Sequence, residues 1–231
     1  MRTLIASAFS AAALLLATPA MAVDTYPLTY TAPEHAVTPG QPSIAPNVEV
    51  IDARENDPDW FGAIRGGYGN PLKVLRTEQP IAVAVSQVFR QGLEARNLAG
   101  ATDARHVLSV QLTRFDSSQY ARREAHVVMT VTLKDAATGA ALHQQTVTLD
   151  RVNGSILSLR TGIFASPEEL RALANQTLVE GIDQALDEPA FRAALAAAPA
   201  SSAPVAEKLP APVAEPPPPP AEAPPPPTTT P

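Results

Sequence analysis

The clearest pattern in the chain is a strict alternation of apolar and polar positions over 125–134. Ala125, Val127, Met129, Val131 and Leu133 fall on one side, and His126, Val128, Thr130, Thr132 and Lys134 on the other. Period two is the signature of a half-buried strand. Leu108, Val110 and Leu112 against Ser109, Gln111 and Thr113 predict a second such strand over 107–115. Ala137-Thr138-Gly139 has the form of a three-residue hairpin loop with Gly in the left-handed position. That loop pairs Leu133 with His143, Met129 with Val147 and Val127 with Leu149, and it places a strand over 142–151. A β-branched run, Val48 to Ala53, bounded by Pro46, predicts the first strand.

Two stretches change to helical spacing. Ile81, Val85, Val88, Phe89 and Leu93 follow Pro80 and predict an amphipathic helix over 81–97, with Asn97 or Gly100 providing a left-handed end. Ser166-Pro167-Glu168-Glu169 reads as a cap, a first-position proline and a capping box. Leu170, Leu173, Ala174, Leu178, Ile182, Ala185 and Leu186 continue it as a core stripe to about Asp187, and a short helix over 189–198 follows. The order is β-α-β-β-β-α. The expected fold class is α+β, a two-layer sandwich with a four-stranded mixed sheet and two helices on one face. Residues 54–79 are left as one long connection between the first strand and the first helix, and Ser117-Ser118 as part of a turn.

The ends of the chain read differently. Arg2, an apolar run from Leu4 to Ala17 and the A-x-A site Ala20-Met21-Ala22 predict a secretory signal peptide over 1–22, cleaved between Ala22 and Val23. No later stretch is apolar for long enough to span a bilayer, so no transmembrane segment is expected after cleavage. The destination is then the periplasm or the exterior. Residues 23–46 carry five prolines without an apolar period and read as an extended leader. The folded domain is expected over 47–198. Of the 25 prolines, 14 lie in 199–231, including runs at 216–220 and 224–227. Such a segment has few backbone donors and little apolar surface to bury, so a disordered polyproline tail is expected.

Composition narrows the chemistry. The chain has no Cys, which removes disulfides, thiolate metal sites and cysteine nucleophiles. A formal net charge of −6 argues against nucleic acid as a partner. The four histidines lack metal-ligand spacing, and no cofactor or metal is expected. No G-x-S-x-G elbow is present. Carboxylate pairs occur at Asp57/Asp59, Glu168/Glu169 and Asp187/Glu188, and a hydrolase, the third reading, would be built around Asp57, Asp59 and His106. The stretch from Trp60 to Asn70 gathers Trp60, Phe61 and Tyr68, three of the 11 aromatics, with Arg65 and a glycine-rich run. Aromatics beside arginine are the usual material of protein contact sites. Trp60, Phe61, Arg65 and Tyr68 are therefore the candidate partner-binding residues, on a segment whose glycines suggest mobility. The alternative use of these aromatics is to close an open end of the core.

Asp52-Ala53-Arg54, Phe61-Gly62-Ala63-Ile64 followed by Gly66, the helix end Phe89 to Asn97, Leu108 to Leu112 and the Thr138-Gly139 hairpin occur in an order that resembles the YajG-like envelope lipoproteins of Gram-negative bacteria. More loosely it resembles auxiliary lipoproteins of outer-membrane assembly and lipid transport. The resemblance spans about Val48 to Leu186 and implies a β-α-β-β-β-α fold and an envelope location. Two features depart from it: the lipidated cysteine of those proteins is missing, so outer-membrane anchoring does not carry over, and the polyproline tail is additional. The expected function is a non-enzymatic periplasmic accessory or adaptor protein in envelope biogenesis or transport, with an envelope protein as partner and peripheral association with the envelope. The alternative is a small-molecule binder holding lipid or glycan between helices and sheet, which requires a deep apolar cavity there.

Overall fold

The computed structural model describes residues 25–33, 39–100, 104–153 and 166–197. The expected signal peptide and tail lie outside these residues. Nine elements follow in the order β1 (Glu49–Asp52), β2 (Trp60–Arg65), β3 (Pro71–Arg76), α1 (Ile81–Ala95), β4 (His106–Gln119), β5 (Arg123–Asp135), β6 (Ala141–Asn153), α2 (Pro167–Asp187) and α3 (Pro189–Ala196). The α+β class holds, but among the described residues the sheet has six strands rather than four; the short third helix expected over 189–198 is present as α3. The two additional strands, β2 and β3, form a hairpin within the stretch expected as a connection. Each is six residues long, and Gly62 and Pro71 obscure their alternation.

The sheet runs β3-β2-β4-β5-β6, with β1 also paired to β4. Strands β4, β5 and β6 form an antiparallel meander, and the expected pairs Leu133–His143, Met129–Val147 and Val127–Leu149 are all present. The hairpin loop between β5 and β6 has Gly139 at φ +72°, and the Asp135 carboxylate accepts from the Thr138 and Ala137 amides. Strand β4 is longer than its alternation suggested, because Thr113 is an extra residue. Leu112 faces Met129 and Arg114 faces Val128, so the pattern of buried positions moves from Leu108, Val110 and Leu112 to Phe115, Ser117 and Gln119. A bulge of this kind restarts the two-residue period out of phase. Ser117 and Ser118 therefore lie in the strand, not in a turn.

The bulge also divides the other edge of β4. Before it, Ser109 to Leu112 pair in parallel with β1; beyond it, Ser117 to Gln119 pair in parallel with β2. Arg54 occupies the break between β1 and β2. Its side chain is almost wholly buried, donates to both carboxylate oxygens of Asp52 at 2.8 Å, and reaches the carbonyls of Trp60 at 2.8 Å and Phe115 at 3.2 Å. The Asp-Ala-Arg motif is thus a pin joining two strands that lie end to end.

Helices α1 and α2 pack on one face over a single core cluster. Gly181 lies close to β5 there: a Cβ would approach Met129 Cε to 2.9 Å, so the flexible end of that side chain would have to shift, and would make ordinary contact with Leu149 and Val127. Ser166 and Pro167 start α2 as expected, but the Ser166 side chain makes no capping bond, and Glu169 pairs with Arg123 instead of closing a capping box. Asn97, at φ +52°, ends α1 in the left-handed region. Residues 25–33 and 39–46 are extended, and they are packed into the core as well. Leu28 and Ile44 are buried, the Tyr26 amide donates to the Arg76 carbonyl, and Ile44 bridges to Ala99 and His106.

Candidate functional site

The candidate site is the tip of the β2–β3 hairpin. Its loop is the three residues Gly67 to Gly69, closed by the Gly66 amide donating to the Asn70 carbonyl at 2.8 Å and the Gly69 amide to the Gly66 carbonyl at 2.8 Å. Gly69 sits at φ +81°, where a side chain would be strained. The Arg65 guanidinium donates to the Gly69 carbonyl at 3.1 Å and braces the tip from within. Tyr120, in the turn between β4 and β5, donates its hydroxyl to the Gly67 carbonyl at 2.8 Å and braces it from the neighbouring strands. The result is a held tip that presents Tyr68 fully to solvent, with Tyr120 and Leu72 also exposed.

The four residues expected to act together are divided by this geometry. Arg65 and Tyr68 meet at the tip. Phe61 does not: it is wholly buried and stacked on Phe115 with ring centroids 5.8 Å apart. It closes the core, and no partner can reach it. Trp60 is half-buried at the opposite end of β2, roughly 17 Å away from Arg65 at a strand's rise per residue. Tyr120 and Leu72 are the tip residues that sequence reasoning missed. Tyr120 is remote in sequence, and only the extension of β4 beyond its bulge brings it to the hairpin.

The other chemistry is structural. Asp57 and Asp59 both engage Arg76, at 2.8 Å for Asp57, and so tie the segment before β2 to the end of β3. His106 begins β4, whereas the hairpin lies along the far end of that strand. The three members of the conceivable hydrolase set are therefore not brought together. His126 pairs with Asp150 across β5 and β6 on the open face of the sheet. Among the described residues, no group of three His, Cys, Asp or Glu could hold a metal ion.

A buried ionic network joins the helices. Arg96, with no exposed side-chain surface, contacts both Asp183 at 2.9 Å and Asp187, and donates to the Tyr30 hydroxyl at 2.7 Å. The Tyr30 hydroxyl in turn donates to Asp183 at 2.8 Å. Burial alone would raise the Asp187 carboxyl, but hydrogen bonds from Arg96 and Arg192 outweigh it and hold the group below the usual carboxylate range. Two surface cavities flank this network. One, of about 700 Å³, is bordered by Gly40, Arg105 and Leu195; the other, of about 780 Å³, by Thr31, Asn175 and Glu180. Neither lies between the helices and the sheet, where Gly181 lies close against Met129.

No family model matches the chain, and neither does any curated protein. Solved structures do. A Xanthomonas campestris protein of family DUF330 shares 16% identity, with a TM-score of 0.51 over 74% of this chain and 96% of its own. This likeness is one of fold. A lipoprotein from Neisseria meningitidis is more distant, with 15% identity and a TM-score of 0.26 over 60% of this chain and 96% of its own. The described residues include no helix long and apolar enough to cross a membrane.

Proposed function

We propose that this chain is a non-enzymatic, envelope-associated accessory protein that binds a protein partner through the tip of the β2–β3 hairpin. The observation that carries this reading is the exposed Tyr68 on a loop braced at both shoulders by Arg65 and Tyr120. A tyrosine held in water by a fixed backbone contributes nothing to the core. It offers a large, amphipathic contact whose backbone ordering cost is already met. The envelope location rests on the signal-peptide pattern of residues 1–22, and the kinship with YajG-like proteins rests on the order of motifs. The space between helices and sheet favours the adaptor over a carrier of lipid or glycan, because α2 approaches β5 closely at Gly181.

The test is in-cell crosslinking with a photoreactive residue at Tyr68 and a control at the exposed Arg90 on α1. Adducts with a discrete envelope protein, reduced by Tyr120→Phe, are the expected result. Adducts no different from those at Arg90 would remove the tip as a binding element.

A further inference from the structure

The two edges of the sheet are treated differently. At the β3 edge, Thr25 bridges to Arg76 and the Tyr26 amide takes the Arg76 carbonyl, so the leader covers part of the open ladder. At the other edge, β6 runs for 13 residues, and among the described residues no strand pairs with its outer side. Natural edges are usually blunted by proline, lysine, bulges or short length. From Ala141 to Asn153 there is no Pro, Gly or Lys, and the one irregularity lies at the very start, between the Lys134–Ala141 and Leu133–His143 pairs. Its charged groups are already engaged within the fold: Asp150 with His126, and Arg151 with Glu180 at 2.7 Å.

We infer that β6 is a self-association edge, on which a second copy of this chain pairs antiparallel about a two-fold axis through Val147. The occupant is a second copy because the strand is complementary to its own reversal in that register. Leu142 and Val152, the two large apolar side chains it leaves exposed, at 39% and 53%, are equidistant from Val147 and would face each other twice. Thr146 would face Thr148, and Gln144 would face Asp150. On the helix side, Arg151 of one copy would lie beside the His143–Glu188 pair of the other, where His143 Nε2 and Glu188 are 3.3 Å apart. Antiparallel pairs between opposed β-branched and polar side chains are favourable, and an isologous contact of this kind closes at two copies. The assembly is a continuous twelve-stranded sheet with one hairpin tip at each outer end. It stands independently of what those tips bind.

The absence of Cys from the chain allows a background-free test. Full-length chains carrying Thr146→Cys are mixed with chains carrying Thr148→Cys under mild oxidation. The expected product is the mixed disulfide, in excess over that formed when either is mixed with Arg90→Cys. A dominant Thr148→Cys or Thr146→Cys homodimer would mean a different register and overturn the proposal. So would a mixed-disulfide yield equal to the Arg90→Cys control. In parallel, sedimentation equilibrium should show a dimer for the unmodified chain. In the Leu142→Lys, Val152→Lys double variant its dissociation constant should rise about tenfold or more, with the melting temperature unchanged when both are compared at a concentration below the parent's dissociation constant. A purely monomeric parent, or a double variant that dimerises as tightly as the parent, would equally overturn it.

Discussion

Arg96 shows how one side chain can join three separate segments. It leaves the end of α1, is wholly buried, and meets Tyr30 from the leader and Asp183 and Asp187 from α2. A guanidinium without water needs these partners; removing it leaves Asp187 with Arg192 alone and Asp183 with only the Tyr30 hydroxyl. Replacing Arg96 with Met should cost about 3 kcal/mol at neutral pH, as is usual when one member of a buried pair is lost. The pH dependence has a definite sign. Asp187 has a folded pKa below its unfolded value of about 3.9. Its contribution is therefore complete above about pH 4 and is lost as pH falls through the lowered folded value. In the variant, Asp187 keeps Arg192 at 2.8 Å but loses Arg96, so burial is opposed less strongly. The stability gap between parent and variant, measured by urea unfolding, should narrow as pH falls below about 4. A gap that stays constant with pH would show that Arg96 acts through packing alone.

At the scale of elements, the junction of β2 and β4 is the tightest. Gly62 pairs with Ser117, whose hydroxyl donates to the Phe61 carbonyl at 3.0 Å. A Cβ on Gly62 would come within 2.1 Å of that hydroxyl and 2.9 Å of the Ser117 carbonyl. Gly62→Ala should destabilise the fold by roughly 1–3 kcal/mol. Adding Ser117→Ala should restore only part of this, since the backbone contact remains. Full recovery in thermal melts would show that only the hydroxyl blocks the site. This junction also explains what sequence could and could not reveal. Strand β5 and helices α1 and α2 were legible because each buries a continuous stripe, and β6, which buries only Val147, was legible because the Gly139 loop sets its register against β5. The hairpin was not, because Gly62 has no side chain to mark the alternation and Pro71 begins β3. The end of β4 was hidden by the extra Thr113. The candidate site was half legible for the same reason. Arg65 and Tyr68 were found by local composition, whereas Phe61 shared that composition but belongs to the core. Tyr120 reaches the tip only through strand pairing.

At the scale of the molecule, the question is whether the leader is a strap that can lift away or part of one cooperative unit. Asn175 grips the Thr29 backbone twice, accepting from its amide at 2.9 Å and donating to its carbonyl at 2.9 Å, and Gln91 accepts from the Tyr30 amide at 3.0 Å. These bonds alone could open locally, since exposed hydrogen bonds contribute little and a short extended segment regains much entropy on release. Leu28 and Tyr30 change the balance. Leu28 is buried in the same cluster as Val88, Phe89 and Ile182, and Tyr30 completes the coordination of Arg96. Lifting the leader would open the core and leave a buried cation short of a partner, so the leader should unfold only with the rest. Leu28→Ala should then lower global stability by about 3 kcal/mol, within the usual range for a buried leucine. Hydrogen exchange provides the check. The amides of Tyr26, Thr29 and Tyr30 should accelerate by the same factor as those of β5. Acceleration confined to the leader, with the unfolding midpoint unchanged, would show instead that the segment is a separately released strap.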